Sequence, residues 1–74
     1  MKEYIFVYKC RMCGEITDGG ATGNESTALQ TLAQLQTKGY SSNVGAPVLM
    51  TSIHSCPDGS CGIADLQGYV VRGI

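Results

Sequence analysis

The N-terminal stretch from Lys2 to Cys10 alternates in the manner of a β-strand. One parity carries large aromatic side chains and ends in a thiol, and its members are Tyr4, Phe6, Tyr8 and Cys10. Aromatic and β-branched residues favour extended backbone, so the pattern predicts a strand here. The same pattern places Cys10 at the strand end, on the face of the aromatic rings. Glu15-Ile16-Thr17 predicts a short return strand, which Asp18-Gly19-Gly20 should end because these residues favour turns.

A helix is predicted from Glu25 to Lys38. Its apolar positions form one stripe, which we interpret as core, made of Ala28, Leu29, Leu32, Ala33 and Leu35. Thr22 with Glu25 fits a capping box, while Asn24 is a competing N-cap. Gly39 follows where a helix C-terminus favours glycine.

The second half of the chain predicts two more strands. Ser41 to Pro47 has the composition of a loop, and Val48 to His54 alternates as a strand. If that strand continues, His54 and Cys56 project from the same side. Pro and Gly in Cys56-Pro57-Asp58-Gly59 favour a turn, and a last strand is predicted over residues 64–74.

These elements predict a small α+β domain that is zinc-ribbon-like. We expect about four short antiparallel strands, with one helix inserted between the two halves of a metal site, and a single zinc-binding domain over residues 1–74. A chain of 74 residues with ten glycines has a thin core and usually needs a cross-link. Structural zinc contributes about 10–16 kcal/mol of apparent binding free energy in small zinc peptides.

Net charge and cysteine content limit the binding partners and the cellular compartment that we expect. The net charge is −1, so no global attraction to nucleic acid or anionic membrane is expected. Lys9 and Arg11 flank Cys10, where they can offset thiolate charge or touch a phosphate. Two disulfides are the alternative use of four cysteines, but no signal or transmembrane run is present. We therefore expect a cytoplasmic protein with reduced, metal-bound thiols.

The metal site has five candidate ligands for four tetrahedral positions. Cys10 and Cys13, two residues apart and followed by Gly14, form a typical zinc knuckle. Cys56 is expected to be a ligand whichever residue completes the set of four. The fourth ligand is either His54 or Cys61, and spacing alone leaves both open, because a turn can bring two thiols together as well as a strand can. Asp58 is expected to be a turn residue and Asp65 to bond local backbone.

The two ends of the chain resemble short zinc-ribbon-like proteins encoded in bacteriophages and prophages. The resemblance is carried by Cys10-x-x-Cys13-Gly14, a following helix, and His54-x-Cys56-x-Asp58-Gly59-x-x-Gly62-x-Ala64-Asp65-Leu66-x-Gly68. It implies a closed structural Zn²⁺ site with one ligand set, namely Cys10, Cys13, His54 and Cys56. Cys61 is where this sequence departs from the pattern. The middle of the chain carries no shared residues.

Binding is a better expectation than catalysis. The helix begins too late after Cys13 for a thioredoxin-like dithiol, and no catalytic zinc pattern or nucleophile elbow is present. The first hypothesis is a protein-interaction module, an inhibitor or adaptor that a phage directs at a host protein. The alternative is a regulatory zinc ribbon that binds nucleic acid through Lys9, Arg11 and tyrosines. A homodimer formed through an edge strand is a third hypothesis, and no membrane partner is expected.

Overall fold

A computed structural model describes residues 1–42 and 47–73 of the chain. In chain order the elements are Lys2–Cys10 (β1), Ile16–Thr22 (β2), Glu25–Lys38 (α1), Tyr40–Ser41 (β3), Val48–Leu49 (β4), Thr51–Ser55 (β5) and Cys61–Gly73 (β6). The predicted loop from Ser41 to Pro47 falls in part on residues 43–46, which lie outside the described residues. Ile74, the predicted end of the last strand, also lies outside them.

The strands form an antiparallel sheet with the order β2-β1-β6-β5, beside a small β3-β4 pair. The long strands β1 and β6 lie at the centre, paired from Lys2 with Gly73 to Cys10 with Ala64. The helix α1 lies in the chain between β2 and β3, and the paired strands before and after it are antiparallel. The predicted α+β class is therefore confirmed. None of the helices in the described ranges combines the length and apolar character that crossing a membrane requires.

The helix is well predicted from its sequence signals. Asn24 is the N-cap, and its Oδ1 accepts a hydrogen bond of 3.1 Å from the Thr27 N–H. Thr22 lies before the cap, where its hydroxyl oxygen accepts from the Asn24 N–H. The helix ends at Gly39, whose φ of 82° is left-handed and whose N–H donates to the Leu35 carbonyl.

The predicted apolar stripe of the helix is only partly the buried face. Ala28 and Leu35 are buried, and Ala28 packs with Tyr4 and Phe6 in the core. Thr31 is also fully buried, because its hydroxyl donates to the Thr27 carbonyl and leaves no unpaired polar group. Leu29 and Ala33, also predicted as core, are exposed instead, with 53% of Leu29 accessible. The buried face is therefore centred on residues 28, 31 and 35.

The return strand is longer than the sequence predicts. Asp18-Gly19-Gly20 was expected to end it, but β2 continues through these residues to Thr22. The prediction is wrong because Gly19 lies within the strand, where it leaves space for the ring of Tyr8, and does not form a turn. A Cβ built on Gly19 would lie 2.5 Å from Cε1 of Tyr8. A register shift between Ile5 and Val7 accommodates the irregular pairing.

The predicted strand from Val48 to His54 is divided in two. Val48–Leu49 pairs with β3, and the chain bends at Met50 before β5 begins. The Met50 N–H donates to the Gly39 carbonyl, while its own carbonyl accepts from Leu66 on β6. Met50 is therefore the residue at which the chain passes from the two-stranded sheet to the four-stranded sheet. The last strand also begins earlier than predicted, at Cys61, because that residue pairs with Ser55.

Candidate metal centre

The first half of the site is a tight turn after β1. The Cys10 N–H donates to the Glu15 carbonyl, and the Gly14 N–H donates back to the Cys10 carbonyl, both at 3.0 Å. Gly14 has a φ of 76°, a left-handed conformation that glycine adopts without steric cost. The turn brings Cys13 close to Cys10, as the knuckle motif predicts.

The second half lies on β5 and the hairpin that follows it. His54 is near the end of β5 and Cys56 comes directly after it. The hairpin is closed by the Cys56 N–H, which donates to the Ser60 carbonyl at 2.7 Å, and Gly59 has a left-handed φ of 91°. The Asp58 carboxylate accepts from the Ser60 N–H, so the predicted turn role of Asp58 is confirmed.

Strand β6 brings the two halves together, because it pairs with β1 on one side and β5 on the other. Gly62 lies opposite His54 on β5 and directly against the first thiol. A Cβ built on Gly62 would lie 2.8 Å from Sγ of Cys10 and 3.1 Å from Cβ of Met12. Any side chain here would displace the sulfur or the strand, so a glycine is needed at this position.

Four of the five predicted ligands lie in one cluster. The ligand atoms of Cys10, Cys13, His54 and Cys56 are all within 4.8 Å of one another, an arrangement that can hold a metal ion. The Cys10 and Cys56 sulfurs are 3.8 Å apart. A tetrahedral centre with zinc–sulfur bonds of about 2.3 Å has sulfur–sulfur edges of about 3.8 Å. The distance therefore matches two thiolates on one ion, and these cysteines are not joined by disulfides.

The histidine of this cluster carries an unsatisfied atom. Its side chain is 14% exposed, and Nε2 is buried without a hydrogen-bond partner among the described residues. The nearest carboxylate oxygen, Oε2 of Glu15, lies 3.5 Å away. A buried polar atom without a partner costs about 1–3 kcal/mol. A nitrogen atom of this kind, beside three sulfurs, is suited to bind a cation.

The thiols differ in how readily they lose their protons. Backbone N–H groups of the knuckle, chiefly that of Cys13, hydrogen-bond to the Cys10 sulfur and lower its pKa, although burial opposes them. Burial, acting together with the neighbouring sulfurs of Cys13 and Cys10, raises the pKa of Cys56 to about 12. Ionising the Cys56 thiol at neutral pH therefore carries a free-energy penalty. A bound metal ion would remove that penalty.

Cys61, the fifth predicted ligand, lies outside the cluster. It is exposed at the first position of β6, opposite Ser55. Successive side chains of a strand point to opposite faces, and Gly62 is the residue that faces the Cys10 sulfur. Cys61 consequently points to the other face of the sheet.

The arginine beside the knuckle is bound to a carboxylate. Arg11 and Asp65 form a bidentate pair, with Nε to Oδ2 at 2.6 Å and Nη2 to Oδ1 at 2.7 Å. The guanidinium lowers the pKa of Asp65. The expectation that the Asp65 side chain bonds local backbone is wrong, because β1–β6 pairing carries it to the knuckle. Neither this pair nor the packing role of Gly62 was predicted from the sequence, because Gly62 precedes the strand predicted over residues 64–74 and both features depend on the strand register; the available signal for Gly62 was its place in the shared motif.

Searches of family models, of curated proteins and of solved structures returned no match to this chain. The resemblance to phage-encoded zinc ribbons therefore depends on the motif residues alone, and the site is interpreted from its own geometry.

Proposed function

We propose that this protein is a zinc-stabilised interaction module with a structural Cys₃His centre. The observation that carries the proposal is the convergence of Cys10, Cys13, His54 and Cys56 within 4.8 Å. Thiolate and imidazole ligands favour zinc over magnesium or calcium, which prefer oxygen. Four protein ligands complete a tetrahedron and leave no position for substrate, which supports a structural role and not an enzymatic one.

The zinc ion would join chain segments that are distant in sequence. The knuckle at residues 10–13 and the hairpin at residues 54–56 meet across β6, and the ion would fasten them together. In small zinc peptides such binding is worth about 10–16 kcal/mol, comparable to the whole stability of a typical domain. This is the arrangement of a zinc-ribbon-like domain. Reduced thiols in such a centre also support a reducing compartment such as the cytoplasm.

A protein partner is supported by the distribution of apolar side chains on the surface. Many large apolar residues are at least partly exposed for so short a chain, among them Leu29, Tyr40, Leu49, Met50, Ile53 and Ile63. Leu29 and Met50 line one groove together with Leu32 and Leu66, and contiguous exposed apolar surface is typical of interaction sites. The resemblance to phage-encoded proteins makes a host protein the partner class we propose, with an inhibitor or adaptor role.

The nucleic-acid alternative has weaker support. Arg11 is held by Asp65, and Arg72 lies 3.6 Å from the Asp18 carboxylate, so acidic groups offset both guanidinium charges. Tyr4 and Tyr8 are buried and cannot stack on bases. Titration of short DNA and RNA at low salt tests this alternative, since phosphate contacts are strongest there.

The zinc proposal is tested by metal analysis and chelation of the purified protein. We expect one zinc per chain, and unfolding when a strong chelator removes it, measured by circular dichroism. Restoring zinc should restore the fold. A metal-free protein with an unchanged spectrum and melting temperature would contradict the proposal.

The partner proposal needs a separate experiment. Candidates captured from host extract by the zinc-loaded protein would be purified and titrated individually. We expect at least one to bind the native protein and to bind the variant Leu29→Glu more weakly. If no purified candidate binds the native protein, the interaction role is refuted while the zinc centre stands. If a candidate binds Leu29→Glu as tightly as the native protein, the partner does not use this surface.

A further inference from the structure

Strand β5 is an open edge of the four-stranded sheet. It pairs with β6 on its inner side, and no strand in the described part of the chain pairs with its outer side. Its residues Thr51 to Ser55 include no Asp, Glu, Lys, Arg, proline or glycine. The register with β6 is regular throughout. Exposed edges with these properties are competent to pair with another strand, because nothing on them opposes it.

The opposite edge of the sheet is different. Strand β2 contains Asp18, two consecutive glycines and a register shift against β1. Charge and bulges are the features by which natural sheets prevent edge-to-edge pairing. The two edges of one sheet are therefore unequal, and β5 is the one that remains available.

The centre of β5 carries an isolated apolar side chain. Ile53 is 82% exposed, and directly opposite it on β6 lies Ile63, which is 47% exposed. The two lie on the face of the sheet away from the cluster, since His54 and Gly62 form the next pair. Ile53 is therefore mostly uncovered by the described residues, and Ile63 is about half covered.

We propose that two copies of this chain pair through β5 in an antiparallel, two-fold symmetric arrangement centred on Ile53. The symmetry places Thr51 opposite the partner's Ser55, and Ser52 opposite the partner's His54. The two Ile53 side chains become cross-strand neighbours. With the flanking Ile63 of each copy, four isoleucines then form one continuous row across the ladder. Apolar β-branched pairs of this kind stabilise antiparallel sheets.

A second copy fits this edge better than an unlike partner does. Like charges opposite one another destabilise a strand pair, but β5 contains no Asp, Glu, Lys or Arg, and the two-fold register places His54 opposite Ser52 and not opposite itself. In a two-fold arrangement, only the residue at the axis lies opposite its own copy. In β5 that residue is the apolar Ile53. A net charge of −1 per chain adds little long-range repulsion.

Sedimentation equilibrium of the zinc-loaded protein tests this inference. We expect a reversible dimer of twice the 7.8 kDa chain mass. Ile53→Lys places two ammonium groups opposite each other at the axis and should weaken dimerisation about thirtyfold or more, as loss of a central interface residue does. Ile53→Ser, which removes the apolar contact without adding charge, should weaken it less. Amide exchange in β5 should slow as the wild-type concentration rises.

The matched control is Ile16→Lys, on the other edge strand, where Ile16 is 55% exposed. This variant should dimerise like the wild type, and all variants should contain the same zinc. A zinc-loaded wild type that stays monomeric at millimolar concentration overturns the pairing and leaves the zinc proposal intact. A dimer that survives Ile53→Lys but is lost in Ile16→Lys also overturns it.

Discussion

The substitution Gly62→Ala is a sensitive probe of the metal centre, because it adds one methyl group beside a ligand. The new Cβ would lie 2.8 Å from Sγ of Cys10 and 3.1 Å from Cβ and Cγ of Met12. Non-bonded heavy atoms prefer separations of about 3.5–4.0 Å, so the sulfur or the strand must move by roughly 0.7 Å or more. Distances at a metal centre are held to within about 0.2 Å, and such a shift cannot be absorbed there without cost.

We expect Gly62→Ala to weaken zinc binding. Overpacking costs about 1–3 kcal/mol, which corresponds to a loss of affinity of about fivefold to 150-fold. Competition with a chromophoric chelator at fixed pH measures the loss. Gly73→Ala is the matched control in the same strand, since its Cβ meets no atom within 4 Å and its backbone is not left-handed. If both variants bind zinc as tightly as the wild type, the close packing of β6 against the Cys10 sulfur is refuted.

Three further predictions test the ligands, the ion pair and the helix cap. His54→Ala should lose most of the zinc while Cys61→Ser keeps it, because of these two residues only His54 belongs to the cluster. Elemental analysis measures the zinc content of both variants, and the reverse result would make Cys61 the ligand. Arg11 lowers the pKa of Asp65 in the folded protein. Their attraction therefore stabilises the fold at pH values above the ordinary carboxyl pKa, and this stabilisation is lost as the pH falls through the lowered pKa. Arg11→Gln should return the carboxyl pKa measured by NMR toward its ordinary value, and an unchanged pKa would contradict the pairing. Asn24→Ala removes the N-cap acceptor and should reduce the free energy of unfolding by about 1 kcal/mol in denaturant titrations, whereas no loss would refute the cap.

Elements with strong local signals could be predicted from the sequence. The strand from Lys2 to Cys10 and the helix from Glu25 to Lys38 have the predicted bounds, because alternation, capping and a terminal glycine are local properties. The extension of β2 through Gly19 could not be predicted in the same way. It depends on the ring of Tyr8, which lies over that glycine only after β1 and β2 have paired. The bend at Met50 likewise depends on two backbone partners distant in sequence.

The site was predictable as a set of candidates. The two-residue spacing of Cys10 and Cys13 indicated a knuckle, and strand parity placed His54 and Cys56 on one side. Spacing left Cys61 open as a ligand, because the choice depends on the register between β5 and β6. That register puts Gly62 against the Cys10 sulfur and turns Cys61 to the opposite face.

X-ray absorption at the zinc edge of the purified protein tests the central claim most directly, because it reports the identity and distance of the ligand atoms. A Cys₃His centre predicts three sulfur ligands at about 2.3 Å and one nitrogen at about 2.0–2.1 Å, with no water. Four sulfur ligands would contradict the role of His54, and a first shell dominated by oxygen would contradict the structural zinc centre itself.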